Sequence, residues 1–139
     1  MTDDQRARAA AAVERACTDA PSVTVLCRAV QGAPAPVVPS DRWCGFALDP
    51  ATLYATNGYH DEGVDMALLP RLLELEYGAD DANHVPELVR ATGVATMSEA
   101  TGGDPASSAR WRDVLVPSGL SHELRAVFRD GRLCGAHWF

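Results

Sequence analysis

Residues 121–139 read S-H-E-L-R-A-V-F-R-D-G-R-L-C-G-A-H-W-F, and this stretch carries the strongest fold signal in the chain. It contains two apolar-rich runs that are joined by Asp130-Gly131. Asp-Gly between two such runs is typical of a β-hairpin, because a type I′ turn needs positive φ at both of its central residues. The pattern therefore predicts a terminal hairpin with Arg125 in the middle of its first strand.

The stretch ends on His137-Trp138-Phe139, which are bulky side chains that belong against a core. The exposed end of a soluble chain is usually polar or frayed. We therefore expect Phe139 to lie inside a longer protein, of which residues 1–139 form a single domain.

A second hairpin is predicted before the middle of the chain. Its strands are Trp43–Leu48 and Leu53–Tyr59, and Asp49-Pro50 suits the start of a type I turn between them. Five helices are also predicted, at residues 3–17, about 23–30, 66–77, 86–90 and 105–114. Gly78 is predicted to end the third of these as a left-handed cap, and Asp104 to precede the fifth as its N-cap. A brief strand is predicted at 94–97. Hairpins on both sides of a helical middle predict an α/β sandwich, a central antiparallel sheet with helices on both faces.

The composition argues against a domain that binds nucleic acid or spans a membrane. The formal net charge is −7, and the 12 basic residues are all arginines scattered along the chain. A nucleic-acid-binding domain needs a basic face to displace counterions, and the sequence indicates none. No apolar run approaches the roughly 18 residues of a membrane helix, and no signal peptide pattern is present, so we expect a cytoplasmic protein.

The sequence contains no pattern that is typical of a metal or catalytic site. The four cysteines and four histidines lack C-x-x-C, H-x-x-H and H-x-x-x-H spacings. A nucleophile elbow, a P-loop and a dinucleotide-binding fingerprint are also missing. We therefore predict no metal, no cofactor and no enzymatic activity.

Five phrases follow one another in residues 42–139. They are F-A-L-D-P-A-T-L at Phe46–Leu53, L-E-Y-G-A-D-D-A-N at Leu75–Asn83, S-E-A-T-G-G-D at Ser98–Asp104, R-W-R-D-V-L at Arg110–Leu115 and G-L-S-H-E-L-R-A-V-F at Gly119–Phe128. In residues and order, the chain resembles a GAF domain. More narrowly, it is similar to the GAF-like sensor region that precedes the LuxR-type helix-turn-helix of many actinobacterial transcription regulators.

The resemblance implies a non-catalytic domain that senses a small-molecule effector, forms a homodimer and leaves DNA binding to a segment outside this chain. The first two helices, within residues 3–31, would precede the sheet and pocket region at 42–139. A dimerisation module without a ligand is the alternative, because the alanine-rich stretch Ala9–Ala12 lets two helices approach closely. A cysteine-based redox sensor or methionine sulfoxide reductase-like enzyme is a further alternative. It needs an exposed thiolate of low pKa, whereas Cys44 and Cys134 lie in strands at expected core positions with no adjacent base.

The first strand of the central hairpin suggests where a pocket would lie, because alternate side chains of a strand point to opposite faces. Gly45 and Ala47 are small and should leave a hollow between the sheet and the opposing helix. Alternatively, they only admit a tightly packed helix. The other face of the strand is uniformly bulky and should pack on the first two helices; it consists of Cys44, Phe46 and Leu48.

Arg125 is the charged candidate for ligand binding. If it faces the hollow, its planar guanidinium could bind a carboxylate or a phosphate. The alternative is a surface position or an ion pair with Glu99 or Glu123. The candidate ligand-binding residues are Trp43, Gly45, Ala47, Met97, Trp111 and Arg125.

Overall fold

A five-stranded antiparallel sheet forms the centre of the computed structural model, which describes residues 1–61, 64–78, 80–129 and 133–139. The strands are β1 (Trp43–Leu48), β2 (Ala55–Asp61), β3 (Val94–Thr96), β4 (Leu124–Arg129) and β5 (Leu133–Trp138).

The strand order is β2-β1-β5-β4-β3, so the terminal hairpin β4–β5 lies between β1 and β3. Strand β1 pairs with β5 along its whole length, from Trp43 opposite Trp138 to Leu48 opposite Leu133. Both predicted hairpins are confirmed, and the Asp130-Gly131 turn itself lies outside the described residues. The two hairpins thus meet at the centre of the sheet.

The first two helices lie on one side of the sheet, where the second packs on the strands and the first packs against the second; both form where their sequence patterns predict them. Helix α1 (Asp3–Asp19) begins at a capping box, and α2 (Val23–Gly32) begins after Ser22, whose hydroxyl accepts a hydrogen bond from the Val25 N–H. The apolar residues of α2 recur at i, i+3, i+4 and i+7, which places them on one stripe. The fully buried members of that stripe are Leu26, Cys27 and Val30.

The other face of the sheet carries α3 (Leu69–Tyr77) and α4 (Val85–Arg90). In α4, Val85 and Val89 pack against Leu48 and its neighbours on the sheet. Helices therefore lie on both faces of an antiparallel sheet, and the predicted α/β sandwich is confirmed.

Three predicted helix and strand ends are wrong. Gly78 ends α3 with φ −119°, which is not left-handed backbone. The brief strand ends at Thr96, whose hydroxyl caps the N-terminus of α5 (Met97–Ala100). The helix predicted after Asp104 is interrupted at Ser108, whose backbone is extended.

The interruption at Ser108 has a tertiary cause. The Asp81 carboxylate accepts hydrogen bonds from the Ser108 hydroxyl at 3.1 Å and from the Arg110 N–H at 2.7 Å. These bonds hold the backbone away from helical geometry between the 3₁₀ turn Pro105–Ser107 and the π-helical segment Trp111–Leu115.

Candidate functional site

The face of β1 that carries Trp43 and Gly45 is packed, so the hollow predicted there is wrong. Trp43 is 3% exposed and packs against Leu26, Cys27 and Val30 of α2. Its indole lies over Gly45, where a Cβ atom would come within 2.6 Å of the Trp43 Cζ2 atom. The prediction that the bulky face of β1 packs on the first two helices is therefore also wrong, because α2 lies on this face.

A cavity of about 430 Å³ lies on the opposite face, between β1–β2 and α3. Leu69, Leu72, Leu73 and Glu76 follow one another at i, i+3, i+4 and i+7, so one face of α3 forms a wall of this cavity. Leu73 is also solvent-exposed, so the cavity reaches the surface beside α3. The remaining lining residues are Cys44, Gly45, Phe46, Ala55, Thr56, Asn57, Val64, Met66, Tyr77 and Arg125.

Phe46 and Gly135 set the depth of this cavity. They lie opposite each other in the β1–β5 register. A Cβ atom at Gly135 would lie 2.5 Å from the Phe46 Cε2 atom, so the absence of a side chain lets the phenyl ring lie against β5. A larger residue at position 135 would push the ring into the cavity.

Tyr77 closes one end of the cavity by joining α3 to the β2 strand. Its hydroxyl accepts a hydrogen bond from the Ala55 N–H at 2.8 Å, and its ring meets Tyr54 edge-on at 4.6 Å between centroids. Burial raises the pKa of the Tyr77 phenol, so the hydroxyl remains protonated near neutral pH. The end of α3 is therefore fixed to the sheet at this point.

The predicted site residues are divided among different environments. Gly45 and Arg125 line the 430 Å³ cavity, whereas Met97 lines a smaller cavity of about 250 Å³ near the C-terminal residue. Trp43, Ala47 and Trp111 line neither of these cavities. The Trp111 indole N–H instead donates to the Ser121 carbonyl at 3.1 Å. Ligand binding by these residues stays a prediction, but the structure does not bring them together.

Arg125 lies at the centre of a buried ion network at the base of the cavity. Its Nη1 atom donates to the Glu76 carboxylate and to the Asn83 carbonyl, both at 2.7 Å, and its Nε atom donates to Glu123 at 3.0 Å. The other Glu123 oxygen accepts from Arg110 Nη2 at 2.9 Å. The predicted alternative of an ion pair with Glu123 is confirmed, and Glu99 instead bonds to Thr96.

The network is electrically balanced, with two guanidinium and two carboxylate groups in the protein interior. Burial opposes charge on Arg125, but Glu123 and Glu76 outweigh it, so the pKa of Arg125 is raised. Burial likewise opposes charge on Glu123, yet the positive charges of Arg125 and Arg110 hold its pKa below the ordinary value. Arg125 and Glu123 are therefore both charged at neutral pH.

Each member of the network comes from one of the phrases that resemble the GAF-like family. Glu76 and Asn83 lie in the phrase at Leu75–Asn83, Arg110 begins its own phrase, and Glu123 and Arg125 share another. The backbone of Asn83 is left-handed, with φ 63°, which asparagine tolerates better than most residues. Three of the five phrases thus meet in one structural feature that joins three separate parts of the chain.

Cys44 lines the cavity, but its thiol is not activated. Burial raises its pKa to about 12. Because the thiolate is the reactive form, we expect iodoacetamide at about pH 8 to leave Cys44 unmodified in the native protein. Peptide mapping by mass spectrometry checks this, with the urea-unfolded protein as the control in which Cys44 reacts. Rapid labelling of native Cys44 would contradict the prediction and favour a redox function.

Two further absences apply to the described part of the chain. No group of three or more histidine, cysteine, aspartate or glutamate residues is arranged to hold a metal ion within residues 1–61, 64–78, 80–129 and 133–139. Over the same ranges, no helix combines the length and apolar character needed to cross a membrane.

No family model matches the chain, and no curated protein matches it either. Among solved structures, the chain is similar to the LBD domain of VqsR from Pseudomonas aeruginosa, with 13% sequence identity and a TM-score of 0.49. The alignment covers 97% of this chain and 77% of the VqsR chain.

Proposed function

We propose that this chain is a non-catalytic signal-input domain that binds a small-molecule effector between β1–β2 and α3. The observation that carries the proposal is the cavity, whose walls are mostly apolar and whose base contains Arg125 and Glu76. Small-molecule sites typically have volumes of about 300–1,000 Å³, with apolar walls and a few polar groups. The volume of about 430 Å³ lies within that range.

Helix α3 is suited to report whether the cavity is occupied. Leu69 and Leu72 contact the space that an effector would fill, and Glu76 on the same helix bonds to Arg125. An effector that packs against the two leucines would therefore act on a helix that is also tied to the buried network. A signal can pass this way only if the effector binds one arrangement of α3 better than another.

The proposal also includes the longer regulator of which this chain would be one domain. The five family-like phrases support a GAF-like sensor of an actinobacterial LuxR-type regulator, and the net charge of −7 supports DNA binding by a segment other than this one. Such a regulator would act in the cytoplasm. A homodimer stays a prediction. Ala9, in the alanine-rich stretch of α1 that such a dimer would use, is already buried within this chain, and Ala16 and Cys17 of the same helix pack toward α2.

Filling the cavity should prevent binding without unfolding the protein. We expect Leu72→Trp to weaken binding of the neutral dye N-phenyl-1-naphthylamine about tenfold or more, because the indole occupies space that the dye needs. Fluorescence titration measures the dye affinity, and circular dichroism checks the fold. The matched control is Val94→Trp, which places the same side chain at an exposed position on the opposite edge of the sheet. Equal dye binding by both variants would place the dye elsewhere and contradict the proposal.

A further inference from the structure

The guanidinium of Arg125 has one nitrogen left for a ligand. Its Nε atom and both N–H groups of Nη1 are used by Glu123, Glu76 and the Asn83 carbonyl. Within the described residues, Nη2 makes no hydrogen bond. Because Arg125 lines the cavity, this donor lies beside the space that an effector would fill.

The charge of Arg125 is already neutralised. Glu76 and Glu123 contact it directly, and the same two carboxylates also balance Arg110, whose Nη1 atom lies 3.6 Å from Glu76. An anionic ligand at Nη2 would add a third negative charge to two positive ones in a poorly solvated site. A cationic ligand would be repelled by the positively charged guanidinium. Either charged ligand would lose its hydration without gaining a counter-ion that is not already paired.

We infer that the cavity selects an uncharged, mostly apolar molecule with a hydrogen-bond acceptor, such as a carbonyl oxygen, that receives a hydrogen bond from Arg125 Nη2. This inference rests on the proposed function and specifies its ligand class. It differs from the sequence-based hypothesis that Arg125, if it faced the hollow, could bind a carboxylate or phosphate, because Glu123 and Glu76 already bond to the two edges of the guanidinium that such a group would need. An uncharged acceptor satisfies the remaining donor and leaves the charge balance unchanged.

The remaining walls fit the apolar part of such a molecule. Phe46 forms the floor over Gly135, Leu69 and Leu72 form the α3 side, and Val64 and Met66 lie toward the opening. Burial of hydrocarbon against these side chains would supply most of the affinity. The single hydrogen bond would supply orientation and selectivity.

Three probes of equal heavy-atom count and different charge test the inference. Nonan-2-one, octanoate and nonylammonium are each titrated against N-phenyl-1-naphthylamine bound to the wild-type chain at neutral pH. We expect nonan-2-one to displace the dye at concentrations about tenfold lower than either charged probe, because Glu76 and Glu123 already balance the guanidinium charge and the remaining donor needs only a neutral acceptor. Octanoate as effective as nonan-2-one, or more so, would overturn the inference while leaving the cavity as a binding site. Failure of all probes together with unchanged dye binding by Leu72→Trp would instead overturn the proposed function.

The hydrogen bond from Arg125 Nη2 to the ligand is tested separately. Arg125→Lys keeps a positive charge but removes Nη2, so nonan-2-one should lose several-fold in affinity while the dye, which relies on apolar contact, changes less. If that variant does not fold, arginine-edited ¹⁵N–¹H spectra of the wild-type protein give the same information. Addition of nonan-2-one should shift the Arg125 guanidinium resonances, and unchanged resonances at saturating ketone would overturn the role of Nη2.

Discussion

Glu123→Ala should lower the free energy of unfolding by about 3–5 kcal/mol, because it leaves Arg110 and Arg125 buried with one carboxylate between them. The Glu123 side chain is 1% exposed, so water cannot replace the lost carboxylate without opening the core. This loss is a large part of the roughly 5–15 kcal/mol by which a domain of this kind is stable. Urea unfolding at neutral pH, followed by circular dichroism, measures it.

Glu74→Ala is the matched control for that experiment. Glu74 also forms an ion pair with an arginine, Arg71, at 2.9 Å, but its side chain is 64% exposed. Exposed ion pairs contribute little because solvent screens them, so the control should unfold at nearly the wild-type urea concentration. If Glu123→Ala behaved like the control, the network would not be buried as described.

Gly45→Ala should destabilise the protein by about 1–3 kcal/mol, although alanine is usually the better residue. The added methyl group would lie 2.6 and 2.8 Å from two carbons of the Trp43 indole and 3.5 Å from the Cys27 Cβ atom. The indole is rigid and is held by Leu26 and Val30, so it cannot move away without disturbing α2. Thermal or urea unfolding measures the change.

Gly32→Ala is the control with the opposite expected sign. Gly32 is the last residue of α2, and nothing lies within 4 Å of a Cβ atom built on it. Alanine there should stabilise the protein by up to about 1 kcal/mol, because it restricts the unfolded chain and favours the helix. A neutral or stabilising Gly45→Ala would contradict the close packing of the Trp43 indole over Gly45.

The structure contains the terminal hairpin and the helix α2 that short sequence patterns predicted. The terminal hairpin followed from Asp130-Gly131 between two apolar runs, and α2 followed from the spacing of Val23, Leu26, Cys27 and Val30. Each of these signals depends on residues within about one or two turns of each other, so it is present before any tertiary contact forms. The order of the elements then gave the sandwich architecture.

One pair of the ion network was foreseen only as an alternative, in which Arg125 would form an ion pair with Glu99 or Glu123. Glu123 and Arg125 are two residues apart, so an extended backbone places both side chains on one face, and the structure joins them at 3.0 Å. The third and fourth members were missed. Glu76 is 49 residues from Arg125, and Arg110 is 13 residues from Glu123, with helices and turns between them. No spacing rule connects such positions.

The sequence by itself therefore determined the helices, the hairpins and the alternation of side chains along β1. Only the tertiary structure decided which face of β1 received α2 and where space remained. The physical reason is that the period of a strand assigns residues to two faces but contains no information on what covers each face. The indole of Trp43 fills the space that Gly45 leaves. On the other face, the missing side chain of Gly135 lets the Phe46 ring lie against β5, which leaves the cavity open above the ring.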